Sequence, residues 1–200
     1  ITIQSQLQAM NGAPASAVVR VPVAEDWMLK QVLDLGAQNL LIPMIDTGEQ
    51  AAQAVAACRY PPDGIRGLGS ALARASGSHP IPDYPTTAND PICVMVQAES
   101  RAAIDKIDAI AGTDGVDVVF IGPADLSADM GYLGQLDAPE VEEVIAHAIA
   151  RIRAAGKVAG IVLFNPDDFP RYIEMGVGFL GMGSDVTSLA ASLRDLARSV

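Results

Sequence analysis

The stretch Val116-Asp117-Val118-Val119-Phe120-Ile121-Gly122-Pro123-Ala124-Asp125-Leu126-Ser127 decides the fold of this 200-residue chain. Its consecutive apolar residues, Val118 to Ile121, read as a strand buried on both faces, and the Gly122-Pro123 pair stops it. The turn delivers one carboxylate, Asp125, just past the strand end. About one strand–helix unit upstream the pattern recurs. Ile92-Cys93-Val94-Met95-Val96-Gln97-Ala98-Glu99 is a second apolar run that ends in a carboxylate.

The same alternation continues in both directions. Ile3, Leu7 and Met10 have helical spacing, and residues 17–21 form a short strand. Asp26 is placed to N-cap a helix over 27–35, which Gly36 stops. A strand over 39–45 precedes a helix that Thr47 caps and that runs to about Cys58. After the strand at 92–97 come a helix over 100–110, the strand at 116–121 and an amphipathic helix over 139–155. A strand over 157–164, a helix over 167–175, a strand over 178–182 and a last helix over 184–199 complete the chain. Residues 60–90 are rich in Gly, Pro and Ser and weakly periodic. A connection that long inside a compact domain is usually functional or an interface arm.

Strand then helix, six times over with a helix in front, predicts a parallel sheet covered by helices. Pattern alone leaves a doubly wound sheet and a barrel open. The functional-looking residues favour the barrel: Arg20, Pro43, Glu99, Asp125 and Gly183 fall at the C-terminal ends of different strands, which a barrel gathers round one mouth. The expected fold class is therefore α/β, a (β/α)8 TIM barrel, with residues 1–200 forming one barrel domain. A barrel needs eight units where six are visible, so two strands and one helix are expected to precede Ile1, which is itself not Met. Otherwise the fold is an open sheet with two long edges.

Half of the residues are apolar, enough for a sizeable core. The formal charge of −11 and the pI near 4.4 exclude nucleic-acid binding through a basic face. No run approaches the roughly 18 apolar residues of a membrane span, and the first ten residues carry neither a basic region nor an apolar signal core. Cys58 and Cys93 sit in helical and strand contexts as small hydrophobes rather than a disulfide pair, which fits a reducing, cytoplasmic setting.

Glu99 and Asp125 lead the candidate chemistry. Neighbouring parallel strands lie roughly 4.8 Å apart, so carboxylates on their ends can share one divalent cation. Two carboxylates in otherwise neutral surroundings suit a hard ion such as Mg²⁺ or Mn²⁺. Taken singly, each is equally well explained as an acidic residue opening a helix or turn. Arg20, at a strand end, would by default be a solvated arginine, but at a barrel mouth its guanidinium would hold a substrate oxyanion. Gln97, two residues before Glu99, points to the same side and would donate to a metal-bound water, or else be a polar residue of the barrel interior. The N–H groups of Gly122-Pro123-Ala124-Asp125 after the proline form a small anion site of about pyruvate size. Gly181-Met182-Gly183-Ser184 is a weaker anion-binding turn. The three lysines, Lys30, Lys106 and Lys157, lie within helices or at the wrong end of a strand, which disfavours a Schiff-base mechanism. His147 is expected in mid-helix and His79 in the long loop, so neither is a convincing general base.

The stretches VVRVP (18–22), PPDGIRGLGSALARAS (61–76), IPDY (81–84), VMVQAES (94–100), VFIGPADLSADMGY (119–132) and GMGSDVTSLA (181–190) closely resemble the HpcH/HpaI aldolases, the class II pyruvate aldolases typified by the 4-hydroxy-2-oxoheptane-1,7-dioate enzyme. The resemblance covers essentially the whole chain. It implies a (β/α)8 barrel and a homo-oligomer, usually a hexamer whose neighbours exchange C-terminal helices. It implies a divalent metal (Mg²⁺, Mn²⁺ or Co²⁺) held by Glu99 and Asp125 with Gln97 beside them. Arg20 would take the C2 oxygen of pyruvate, and the amides around Gly122, Ala124 and Asp125 its carboxylate. The reaction implied is aldol cleavage of a 4-hydroxy-2-oxo acid to pyruvate and an aldehyde such as succinic semialdehyde. Cleavage of 2-keto-3-deoxy sugar acids and of citramalyl- or malyl-CoA thioesters are the alternatives; the long loop lacks a basic cluster for a CoA phosphate. A non-catalytic interaction module is the remaining one. The family also carries a D-x-E-H acid/base dyad on its second strand, expected to fall before Ile1, and a chain without it is expected to be impaired.

Overall fold

A computed structural model describes residues 2–77 and 81–199. Six parallel strands lie side by side in chain order, β1 (Val18–Arg20), β2 (Asn39–Ile42), β3 (Cys93–Ala98), β4 (Val118–Ile121), β5 (Val158–Leu163) and β6 (Phe179–Met182). A doubly wound sheet reverses its order at a switch point. No reversal occurs here. The sheet steps always the same way and curls as part of a β/α barrel.

The helices follow the strands. They are α1 (Thr2–Ala9), α2 (Asp26–Asp34), α3 (Gly48–Cys58), α4 (Tyr84–Thr87), α5 (Arg101–Asp105), α6 (Ile107–Ala111), α7 (Pro123–Asp129), α8 (Pro139–Ala154), α9 (Phe169–Glu174) and α10 (Asp185–Arg198). Thr47 caps α3 through a capping box with Gln50, as its position in the sequence predicts. Asp26 is not a cap. It is the first helical residue, and its carboxylate accepts from the Gln53 amide on α3. The helix expected over 100–110 is two, broken where Lys106 leaves helical geometry (φ −113, ψ 17). α7 is short and was legible only as a turn. Its Pro123 stands at the first helical position, where the missing N–H costs nothing.

Strand periodicity sorts the side chains into two layers. Leu40, Ile42, Val94, Val96, Val119, Ile121, Ala159 and Ile161 face the helices and form one buried cluster with Leu29, Leu33, Ile110, Ile145 and Ile149. Met95, Gln97, Val118, Phe120 and Phe179 take the opposite, concave face. The register sets Gln97 beside Phe120, Phe120 beside Gly160 and Gly160 beside Phe179. The two phenyl rings meet edge to face with centroids 5.9 Å apart. A Cβ on Gly160 would lie 2.8 Å from Phe120 Cδ2, so only glycine leaves room for the pair.

The segment between α3 and β3 is longer than an ordinary connection but is not loose. Arg59 donates to the carbonyls of Asn89 and Ile92, and Asn89 Oδ1 accepts from Tyr60 N at 2.8 Å, so its two ends are closed on each other. Between them Arg66 is buried. Its Nη2 donates to Asp34 Oδ1 at 2.8 Å, and its guanidinium lies 4.3 Å from the centroid of the Tyr60 ring. This ties the segment to α2. His79 lies outside the described residues.

Candidate active site

β1, β3 and β4 end at the same rim of the sheet and together bring four polar groups to it. Arg20 closes β1, Gln97 and Glu99 stand at the end of β3, and Asp125 follows β4 within the first turn of α7. Arg20 Nε donates to Gln97 Oε1 at 3.1 Å, and Gln97 Nε2 donates to Glu99 Oε2 at 2.6 Å. The chain of donors fixes the amide. A guanidinium can only donate and a carboxylate only accept, so Gln97 must turn its oxygen to Arg20 and its nitrogen to Glu99.

Gln97 and Glu99 are buried although polar, whereas Arg20 and Asp125 are exposed. Glu99 Oε1 accepts from the backbone N–H of Met44 at 2.9 Å, so both carboxylate oxygens are held. Burial pushes the Glu99 carboxyl above its ordinary range; the Met44 hydrogen bond and the charge of Arg20 pull it back, while the charges of Asp125 and Asp46 push it further up. Gly122 forms one wall. A Cβ there would stand 2.7 Å from Glu99 Oε2 and 3.3 Å from Gln97 Nε2. Gly122→Ala should therefore displace the Glu99 carboxylate. If Glu99 holds a dication, calorimetric titration with Mn²⁺ should show affinity about 10–100-fold weaker in this variant, the usual scale for disturbing the support of a metal ligand.

α7 opens with Gly122 at its cap and Leu126 N donating back to Gly122 O at 3.0 Å, so the N–H groups of Ala124 and Asp125 have no helical acceptor. Among the described residues no group of three or more His, Cys, Asp or Glu side chains is placed to hold a metal ion. Glu99 and Asp125 end successive strands, near enough for the charge of Asp125 to act on Glu99. Two oxygen donors with room for water or substrate oxygens are what Mg²⁺ or Mn²⁺ accepts; burial raises the Glu99 carboxyl most, and the charges of Asp125 and Asp46, which add to it, are what a dication would offset. The donor set fits such an ion.

The remaining candidates lie elsewhere. His147 is exposed on α8. Lys30 pairs with Asp34 within α2, Lys106 separates α5 from α6, and Lys157 precedes β5 at the opposite end of the sheet. Gly183 has φ +72 and Ser184 caps α10, so that turn is accounted for by helix capping. Sequence reasoning missed Met44. A methionine after Pro43 carries no signal that its backbone will turn left-handed, and only the structure puts its N–H on Glu99.

The fold and rim together define a β/α-barrel protein with an acidic, oxygen-donor site at the C-terminal strand ends. The chain belongs to the HpcH/HpaI aldolase/citrate lyase family, whose model matches residues 1–192. It is 56% identical over 196 residues to the hydroxypyruvate/pyruvate aldolase of Agrobacterium fabrum, covering 98% of this chain and 74% of that protein. It is 52% identical over 196 residues to the 4-hydroxy-2-oxo-heptane-1,7-dioate aldolase of Salmonella dublin, with the same coverage of 98% and 74%. A crystal structure of a family protein from Burkholderia cenocepacia superposes with a TM-score of 0.95 at 38% identity, covering 98% of this chain and 79% of that one.

Proposed function

We propose that this protein is a divalent-metal pyruvate aldolase that cleaves a 4-hydroxy-2-oxo acid to pyruvate and an aldehyde and runs the same step in reverse. The observation that carries the reading is the Arg20–Gln97–Glu99 hydrogen-bond chain at the strand ends, with the charge of Asp125 acting on Glu99. Family membership and the names of the two relatives support it.

Glu99 and Asp125 would hold the ion, which when bound supplies a Lewis acid for the 2-oxo acid. The amides of Ala124 and Asp125 bind the substrate carboxylate at the start of α7. Arg20 presents its guanidinium to the C2 oxygen as that atom becomes an enolate oxygen. Gln97 holds Arg20 and Glu99 in register, so the positive group and the acidic group keep their spacing before substrate arrives. Breaking the bond between C3 and C4 leaves its electron pair on the pyruvyl half. The 4-hydroxyl proton passes to water as the aldehyde forms, and C3 of the enolate takes a proton from water to give pyruvate, so no net proton is gained or lost.

Pyruvate release from 4-hydroxy-2-oxo acids, with and without a chelator, tests the reading. Release that stops with chelator and returns with Mn²⁺ or Mg²⁺ is the expected result. Release unaffected by exhaustive chelation overturns the metal reading, and cleavage of citramalyl-CoA with none of the free acids moves the assignment to the thioester lyases. Two further readings belong with this one. α10 exposes a stripe of Val186, Leu189, Leu193 and Leu196, which supports a homo-oligomer that covers it. Cys58 and Cys93 are free, their thiols pushed by burial up to about 12 and about 11, which supports a reducing, cytoplasmic setting.

A further inference from the structure

Among the described residues only Met44 and Asp83 combine a side chain with positive φ, each at +58°. Aspartate visits the left-handed region with help from its short polar side chain; methionine has no such help. A non-glycine residue held there is strained, and such strain persists only where the surroundings over-determine it. The surroundings of Met44 do so. Ile45 N donates to Gln97 O at 3.0 Å, which fastens the segment to β3. Asp46 accepts from the Ser100 hydroxyl, and the N–H groups of Asp46 and Thr47 both donate to Gln50 Oε1 at the start of α3. The Met44 side chain itself contributes little packing, being 59% exposed. What the left-handed turn achieves is to aim Met44 N–H at Glu99 Oε1, 2.9 Å away, while Gln97 Nε2 holds Oε2.

We propose that Met44 is a positioning residue: its strained backbone amide, together with the Gln97 side chain, locks the plane of the Glu99 carboxylate before any ligand arrives. A glutamate side chain has three rotatable bonds, and a hydrogen bond on each oxygen removes most of that freedom. The proposal rests on the reading of Glu99 as a metal ligand only for its consequence, not for the hydrogen bond itself.

Met44→Val, Met44→Gly and Met44→Asn test it. A β-branched residue resists positive φ, so Met44→Val should draw the turn out of the left-handed region and move the amide away from Glu99. Glycine and asparagine take up that region readily and should leave the amide where it is. Calorimetric titration with Mn²⁺ should show affinity about 10–100-fold weaker in Met44→Val, as for other supports of a ligand, and recovery of most of that loss in Met44→Gly and Met44→Asn. Equal Mn²⁺ affinity across the three variants, with a lowered melting temperature in Met44→Val alone, would make the strain merely structural and overturn the proposal. A second readout needs no metal. In the metal-free protein the Met44 amide proton should resonate downfield and move upfield in Glu99→Gln. An amide resonance indifferent to Glu99→Gln overturns the positioning contact. A resonance that moves as expected in a protein that binds no Mn²⁺ upholds the contact and rejects only the metal reading of Glu99.

Discussion

Glu99→Gln should abolish metal-supported pyruvate release, lowering kcat/KM by about 10³-fold or more, while leaving the protein folded. Two effects act in the same direction on catalysis. The substitution removes one of two carboxylates available to a dication, whose polarising effect on a carbonyl is worth several kcal/mol. It also breaks the donor chain. Gln97 Nε2 and Met44 N–H both donate to Glu99, and a glutamine there must turn its own N–H₂ towards one of them. On stability the effects oppose. The Glu99 carboxyl is raised in the folded state, chiefly by burial, so the folded protein keeps that proton to higher pH than the unfolded chain does. The sign follows: the metal-free protein loses stability as pH rises from the ordinary carboxylate range through the raised folded value, and ionised Glu99 is a cost above that window. Neutral glutamine removes this cost but leaves donors facing one another, worth about 1–3 kcal/mol against it. The melting temperature of the metal-free variant should therefore stay close to that of the parent. Added Mn²⁺ should raise the melting temperature of the parent and not of the variant. Retention of the Mn²⁺ response and of pyruvate release would remove Glu99 from the ligand set.

Asp34→Ala should be the most destabilising single change outside the site. The Arg66 side chain is fully buried, and among the described residues its single ion pair is to Asp34. Among the described residues Nε and Nη1 have no hydrogen-bond partner, so the Tyr60 ring and Asp34 are what offset its charge. Removing the carboxylate strands a buried cation, which costs about 3–5 kcal/mol. For a chain of this size that is a fall in melting temperature of roughly 6–20 °C. Arg66→Met should cost less. It replaces the cation by an apolar side chain of similar reach, and the Asp34 left behind is partly solvated and still paired with Lys30. Thermal melts of the two variants side by side decide the matter. An Asp34→Ala protein that melts with the parent, or an Arg66→Met protein that melts well below Asp34→Ala, would show that the pair does not hold the 60–90 segment to α2.

Much of this protein is written locally. The alternation of apolar runs with amphipathic segments, stopped by Gly36, Gly122-Pro123, Gly156 and Gly176, marks out strands and helices because burial periodicity and turn chemistry act over a few residues. The carboxylates at Glu99 and Asp125 and the arginine at Arg20 were legible for the same reason, since each directly follows a strand that can be read. The chain order of the strands, without the reversal of a doubly wound sheet, was legible only through the residues at the strand ends, which favoured a barrel, and not through periodicity. Strand order is a choice among partners that sequence periodicity does not distinguish.

The contacts that give the rim its geometry join residues far apart in the chain: Arg20 to Gln97 across 77 positions, and Met44 to Glu99 across 55. No local pattern encodes the orientation of the Gln97 amide, the left-handed turn at Met44, or the burial of Arg66 against Asp34 and Tyr60. Each exists only because β1, β2 and β3 are brought side by side and α2 and α3 are packed over them. The sequence by itself determined which elements form and which charged groups arrive at strand ends, since both depend on neighbours in the chain. Only the tertiary structure decided how those groups hold one another, because a hydrogen bond is set by distances of a few tenths of an ångström between elements that the chain places far apart.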